Sequence, residues 1–207
     1  VANTYNRFPL TLVSGVGARV VDSEGKEYID LGTGIAVNTF GVNDEEWKEA
    51  VIAQLGKIQH TSNLFYSEPS ALLAEELCRR TGMKKVFFSN SGAEANETAV
   101  KVARKYAADK KGGEYNVIIT LVNSFHGRTI SMLAATGQDV FHKDFLPLTD
   151  GFLYAEANDI EGLRALVNEN EVAAIMVEIV QGEGGVLPLS REFCEEIEKI
   201  REEKDIL

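Results

Sequence analysis

The chain has 207 residues, 44% of them hydrophobic and 26% charged, which is enough apolar content for a substantial core and suits one large domain or one and a half. A net charge of −11, with no Lys/Arg cluster to offset it, excludes the basic face that a nucleic-acid binder needs to neutralise phosphates. No apolar run is long enough to span a bilayer, Val1 to Tyr5 lacks the regions of a signal peptide, and Cys78 and Cys194 form no C-x-x-C pair. The expectation is therefore a globular cytoplasmic protein with reduced thiols and no membrane partner.

Ala18 to Asp22 and Glu27 to Leu31 are short β-type runs flanking Ser23-Glu24-Gly25-Lys26, a pattern that predicts a hairpin with a Gly-containing turn. From Asp44 to about Gln59 the apolar positions Trp47, Val51, Ile52, Leu55 and Ile58 share one helical face, with Glu45 and Glu46 in the first turn. A second helix is predicted after Pro69, through Leu72, Leu73, Leu77 and Cys78. From Lys85 the rhythm becomes strand, loop, amphipathic helix. Strands are predicted near 85–89 and 116–122 and over Val172 to Ile179, and Phe152-Leu153-Tyr154 is a short apolar piece between the last two. Helices are predicted near 92–109, after Thr129, and near 159–169 and 190–204. Such alternation implies right-handed crossovers and an α/β fold, a mainly parallel sheet with helices on both faces. Ile206-Leu207 follow a charged helix end and read as the opening of another buried strand, so the expectation is a chain cut in mid-fold.

In an open α/β sheet the ligand crevice lies beyond the carboxyl ends of the strands, which directs attention to three loops. Ser89-Asn90-Ser91-Gly92-Ala93-Glu94-Ala95-Asn96 joins an apolar run to a helix start. Its free amides and the positive dipole end favour an anion, so a phosphate could sit on Ser91, Gly92 and Ala93. Ser91 with Glu94 is equally a capping box, which would satisfy the amides internally. In Asn123-Ser124-Phe125-His126-Gly127-Arg128, Phe125 is either a flat face for an aromatic ligand or a hydrophobic plug. Arg128 is either a bidentate fork for a carboxylate or half of a surface ion pair. His126 is a ligand or a core hydrogen-bonder. In the third loop, Glu178 ends an apolar strand and needs a cation or hydrogen-bond donors. Glu183, among Gly182, Gly184 and Gly185, is a solvated charge or a partner for Arg128 or a substrate ammonium.

Other chemistries fail on spacing. The three histidines, His60, His126 and His142, form no H-E-x-x-H or Cys/His cluster, which argues against zinc. No P-loop motif occurs. Gly32-Thr33-Gly34 has Val37 in the third glycine place, and Ser23-Glu24-Gly25-Lys26 matches S-x-x-K only as a polar turn.

Together these loops resemble the class III pyridoxal-phosphate aminotransferases, most closely the acetylornithine/ornithine branch. The resemblance covers nearly the whole chain, through Asn3 to Leu10, Gly34 to Asn38, His60 to Tyr66, Ser89 to Asn96, Ser124 to Arg128 and Gln181 to Gly185. It implies fold type I, with 1–50 an N-terminal segment of the small domain and 51–207 the first part of the cofactor-binding large domain. It implies pyridoxal 5'-phosphate as cofactor, held by Ser91, Gly92, Ala93, Phe125, His126 and Glu178, with Phe125 stacked on the ring. Arg128 would grip the substrate carboxylate, Glu183 would tune which substrate enters, and Asn63 and Tyr66 would line the approach.

The implied reaction is ping-pong transfer of an amino group from acetylornithine, or from ornithine, succinylornithine or 4-aminobutyrate, to 2-oxoglutarate, by a homodimer. No lysine here matches the one that carries the cofactor, so residues 1–207 are expected to be inactive alone. A non-catalytic phosphate- or cofactor-binding module stays open as the alternative. Two positions depart from the family pattern. Ile179 stands where proline is usual, and Gly41-Val42-Asn43-Asp44-Glu45-Glu46 replaces a Gly-His-x-His-Pro pattern.

Overall fold

A computed structural model describes all 207 residues, which divide into two compact units, Val1–Lys84 and Lys85–Leu207. The division falls at Lys84, whereas the resemblance to the family implies a boundary after residue 50.

The first unit opens with an antiparallel sheet of three strands, β1 (Leu12–Val16), β2 (Arg19–Asp22) and β3 (Glu27–Ile29), in that order. The β2–β3 hairpin is the one expected from the sequence. Its turn is held by Asp22, whose carboxylate accepts the N–H of Glu24 and Lys26 at 2.9 Å each and the Tyr28 hydroxyl at 2.8 Å. These donors, led by the Lys26 amide, keep the Asp22 carboxyl below its usual range. Strand β1 has no clear signal in the sequence, because Ser14 and Gly15 interrupt its alternation. Gly15 is needed there, since a Cβ would lie 2.5 Å from the Arg19 carbonyl oxygen.

After β3 comes a single turn, α1 (Thr33–Ala36), whose four residues all have positive φ and wind left-handed. Two helices follow. α2 (Glu45–Leu55) is capped by Asp44 accepting from Trp47 N at 2.8 Å. α3 (Glu68–Thr81) has proline in its first turn and ends at Gly82 in the left-handed conformation. The apolar face of α2 is not a core face within this unit. Trp47, Ile52 and Leu55 are each more than half exposed, because neither the three-stranded sheet nor α3 covers them.

The second unit is the α/β part. Its helices and strands are α4 (Gly92–Lys110), β4 (Val117–Leu121), α5 (Ile130–Ala135), β5 (Phe152–Ala155), α6 (Ile160–Glu169), β6 (Val172–Ile175), a short ribbon of β7 (Val180–Gln181) with β8 (Leu187–Pro188), and α7 (Arg191–Lys204). The main sheet has the order β5-β4-β6, all parallel. Side-chain alternation along β4 sorts the layers. Ile118 faces Val100 and Ala103 of α4 and Met132 and Ala135 of α5, while Ile119 and Leu121 face Leu163 and Val167 of α6 and Phe193 and Ile200 of α7. Helices therefore cover both faces, as the alternation of elements requires. Each fully buried Ile, Leu or Phe here contributes roughly 1.5–3 kcal/mol. At the rim, Arg164 of α6 bridges Glu196 and Glu203 of α7. Lys199 and then Arg164 hold the Glu196 carboxyl below its ordinary range.

Two strand expectations need correction. Lys85 to Ser89 is not a strand, for the sheet offers it no hydrogen-bonded neighbour, and Phe87 and Phe88 stay largely exposed. The run Val172 to Ile179 is a strand only to Ile175. Met176 N still donates to Ile119 O at 2.8 Å, after which the chain leaves the ladder and carries Glu178 toward the Phe125 amide. At the far edge, Leu207 N donates to Ala173 O at 3.1 Å and Leu207 O accepts from Ile175 N at 2.9 Å, the pattern of a parallel neighbour to β6. Ile206 beside it is buried.

Candidate functional site

The turn before α4 is capped by Ser91 in a variant of the capping box, with Glu94 reaching back to the N–H of Asn90 rather than to that of the cap residue. Ser91 Oγ accepts from Glu94 N at 3.2 Å, and Glu94 Oε2 accepts from Asn90 N at 2.6 Å. Those bonds use the amides of residues 90 and 94. The amides of Gly92 and Ala93 have no internal acceptor, and a Cβ on Gly92 would meet nothing within 4 Å. Capping and anion binding are thus compatible in this turn, since each draws on different N–H groups.

After β4 the chain turns sharply through Asn123 (φ 64°) and Gly127 (φ 133°). Buried Ser124 accepts Gly137 N on its hydroxyl at 3.0 Å, and His126 N donates to Thr136 Oγ1 at 2.9 Å. Phe125 is half-buried, its ring meeting Phe141 edge-to-face at 5.6 Å between centroids. The His126 side chain is buried with Nε2 lacking a hydrogen-bond partner, and desolvation lowers its pKa to about 4. It is a neutral imidazole at pH 7. Arg128 is exposed.

The third loop is fixed to the second. Glu178 Oε2 accepts Phe125 N at 2.9 Å, which supplies the donor that a carboxylate at the end of an apolar strand requires. Buried Gln181 donates from Nε2 to Val122 O at 2.8 Å. Gly184 lies so close to the Asn123 carbonyl that any side chain there would collide with it. The Glu183 carboxylate is exposed and accepts from Gln138 Nε2 at 2.5 Å.

The first and second loops are joined just as closely. Asn96 Nδ2 donates to His126 O at 2.9 Å, Thr129 Oγ1 donates to Glu97 at 2.6 Å, and Gly127 packs directly on Ala93. The structure therefore gathers the loops that carry Ser91, Gly92, Ala93, Phe125, His126, Arg128, Glu178 and Glu183 at one end of the parallel sheet. Unspent amides, a flat aromatic ring and an orphan imidazole nitrogen are the features a phosphorylated heteroaromatic cofactor calls for, so the residues fit such a group. Asn63 and Tyr66 are exposed residues of the first unit.

Three residues of this cluster have no place in the sequence reading: Asn96, Thr136 and Gln138. Asn96 and Gln138 bind across 30 and 14 residues of chain, and Thr136 across 10. The only local signal is the small-residue run Ala134-Ala135-Thr136-Gly137, which marks a backbone passing close to its neighbours. No three His, Cys, Asp or Glu side chains gather as a metal site, and no helix is long and apolar enough to cross a membrane.

Comparison with known proteins agrees with this geometry. The family model for aminotransferase class-III matches residues 1–207, and the chain belongs to that family. It is 53% identical over 207 residues to an acetylornithine aminotransferase of Haemophilus ducreyi, covering all of this chain and 53% of that protein. It is 49% identical over 205 residues to the acetylornithine aminotransferase of Caldanaerobacter subterraneus, covering 99% of this chain and 52% of that one. Among solved structures, the ornithine aminotransferase of Toxoplasma gondii superposes with a TM-score of 0.92 at 29% identity, over 100% of this chain and 49% of that one. The N-acetylornithine aminotransferase of Stenotrophomonas maltophilia gives 0.82 at 40% identity, over 98% and 50%. The chain thus spans about half the length of the curated relatives it matches.

Proposed function

We propose that the whole protein is a pyridoxal-phosphate-dependent aminotransferase that moves the ω-amino group of acetylornithine to 2-oxoglutarate in arginine biosynthesis. The observation that carries this reading is the packing of Gly127 on Ala93, which sets the unspent Gly92 and Ala93 amides against the loop of Phe125 and Arg128. Naming of the relatives as acetylornithine aminotransferases supports the donor.

In this reading Ser91, Gly92 and Ala93 hold the cofactor phosphate, with the α4 dipole favouring its charge. Phe125 backs the ring and Glu178 fixes Phe125 through its amide, while His126, neutral and buried, completes the cofactor's surroundings. When bound, the cofactor supplies an electron sink for the nitrogen-bearing carbon of the substrate. Arg128 orients the substrate by its carboxylate, and Glu183 governs which donor enters. Asn63 and Tyr66 line the approach. The segment 1–50 belongs to the small domain and 51–207 to the cofactor domain.

The protein acts as a homodimer, a reading supported by the apolar face that α2 leaves exposed. A reducing cytoplasm suits its two free cysteines. No lysine among residues 1–207 is assigned to carry the cofactor, so this segment is inactive by itself. The test is glutamate formation by the whole protein with pyridoxal phosphate, 2-oxoglutarate and each candidate donor. Turnover fastest with acetylornithine supports the reading. Failure with acetylornithine, ornithine, succinylornithine and 4-aminobutyrate alike overturns it.

A further inference from the structure

Gln138 lies just past α5, on the segment that follows Gly137, and is half-buried. Its side-chain amide makes two bonds from one nitrogen: Nε2 donates to Ser124 O at 3.1 Å and to Glu183 Oε2 at 2.5 Å. One end belongs to the loop that carries Phe125 and Arg128, and the other to the carboxylate that projects from the glycine-rich loop. The bond to Ser124 fixes the amide on a rigid platform, for Ser124 is fully buried and its hydroxyl holds Gly137 N.

The glycine-rich loop is pinned at two points that flank Glu183. Gln181 is bonded to Val122 O, and Gly184 is seated against Asn123. Between them only Gly182 and the exposed Glu183 itself remain, and this stretch, with glycines on both sides of Glu183, keeps a backbone freedom that neither pin removes. Gln138 removes that freedom. A neutral amide does so without cancelling charge, so the carboxylate keeps its full negative charge for a cationic group. A lysine or arginine in the same place would neutralise it.

We infer that Gln138 is a positioning residue that sets where the Glu183 carboxylate stands and so determines how well the site distinguishes one amino donor from another. The inference rests on the proposed aminotransferase reading, and on the assignment of Glu183 to donor selection within it. Of the two bonds made by Gln138, the one to Ser124 O holds the amide in place and the one to Glu183 is the route to donor recognition. Removal of Gln138 therefore shifts donor recognition. Truncation of Gln138 and of Glu183 then gives no more than the larger single effect when combined, since residues that work through one contact are not additive.

The whole protein tests this with Gln138→Ala, Glu183→Ala and the double variant, read in two ways. Hydrogen exchange needs no turnover. In Gln138→Ala the amides of residues 182–186 exchange at least threefold faster, while those of β4 stay unchanged. In kinetics, the ratio of kcat/KM for acetylornithine to that for ornithine changes several-fold, and the double variant matches Glu183→Ala. Unchanged exchange in the glycine-rich loop overturns the inference, and so does an unchanged donor ratio or an additive double variant. Absence of transamination by the unaltered protein is a different failure: it overturns the aminotransferase reading itself, whatever the exchange data show.

Discussion

Gly127 and Ala93 touch so closely that a Cβ at position 127 would lie 2.8 Å from the Ala93 methyl, on a backbone with φ of 133°. Two loops separated by a whole helix and strand are set together by the absence of one side chain. Gly127→Ala should therefore cost roughly 2–4 kcal/mol, the sum of backbone strain and overpacking, read as a lower guanidinium midpoint. In the whole protein it should also release pyridoxal phosphate, because the cradle and the ring-stacking loop part.

Gly92→Ala should behave in the opposite way. Position 92 has open space around its would-be Cβ and a φ that any residue adopts, so the change leaves stability unchanged or raises it by up to about 1 kcal/mol through the unfolded chain. The same methyl intrudes on the anion seat. Equilibrium titration with pyridoxal phosphate should show weaker binding in a protein whose denaturation curve has not moved to lower denaturant. Equal cofactor affinity would mean that the phosphate does not rest there.

How much of this was legible beforehand depends on the range of the interaction. The Ser91 cap, the β2–β3 turn and the helical stripe of α4 are all set by residues within four positions of one another, and the sequence displays them. Convergence of the second and third loops was legible too, because a parallel sheet places every strand's carboxyl end at the same edge, whereas the first loop follows no strand and is held to the second by Asn96 and the Gly127–Ala93 contact. The bonds that fix the loops were not. Asn96 to His126, Glu178 to Phe125 and Gln138 to Glu183 join side chains brought near only by the fold. The surroundings of the α2 face were not legible for a related reason: periodicity shows that a face is apolar, and it does not show what covers it.

Glu178 offers a test that separates hydrogen bonding from charge. Its Oε2 accepts the Phe125 amide, and a glutamine oxygen can accept the same proton, so Glu178→Gln should keep the loop in place. Glu178→Ala leaves that amide without its acceptor and should cost roughly 1–3 kcal/mol. Denaturation of the three proteins side by side checks the order: unaltered and Gln variant together, Ala variant lower. In the whole protein, cofactor affinity should fall with the Ala variant in step with the misplaced Phe125 ring.

His126 predicts a pH dependence with a definite sign. Burial lowers its pKa from 6.5 to about 4, so between those values the unfolded chain binds a proton that the folded chain does not, and stability rises with pH. The contribution is complete above about pH 6.5 and is lost as pH falls toward 4, amounting to roughly 3 kcal/mol over that window. Asp22, Glu196 and Glu203 are carboxylates held below their usual range. Their stabilisation also fades on acidification, but only from the ordinary carboxylate range downward. Between pH 5 and 6.5 the slope therefore belongs to the imidazole. Guanidinium midpoints should rise across that interval in the unaltered chain and stay flat in His126→Gln.

The α2 face makes the last prediction, and it concerns assembly. Trp47, Ile52 and Leu55 are 56%, 64% and 58% exposed on one side of the helix, while Asp44, Glu45 and Glu46 give its start the polar cap and first turn of an ordinary surface helix. A helix with sound ends and an uncovered apolar face is stable locally and incomplete globally. If a second copy covers that face in the whole protein, Ile52→Glu buries a charge against apolar surface on dimerisation and should raise the dimer dissociation constant by at least tenfold. In the isolated chain the same change, on an exposed position, should leave the denaturation midpoint within about 0.5 kcal/mol of its starting value. Sedimentation of the whole protein, with and without the substitution, decides it. An unchanged dimer would place the interface elsewhere, and a destabilised isolated chain would mean that α2 is covered by the protein itself.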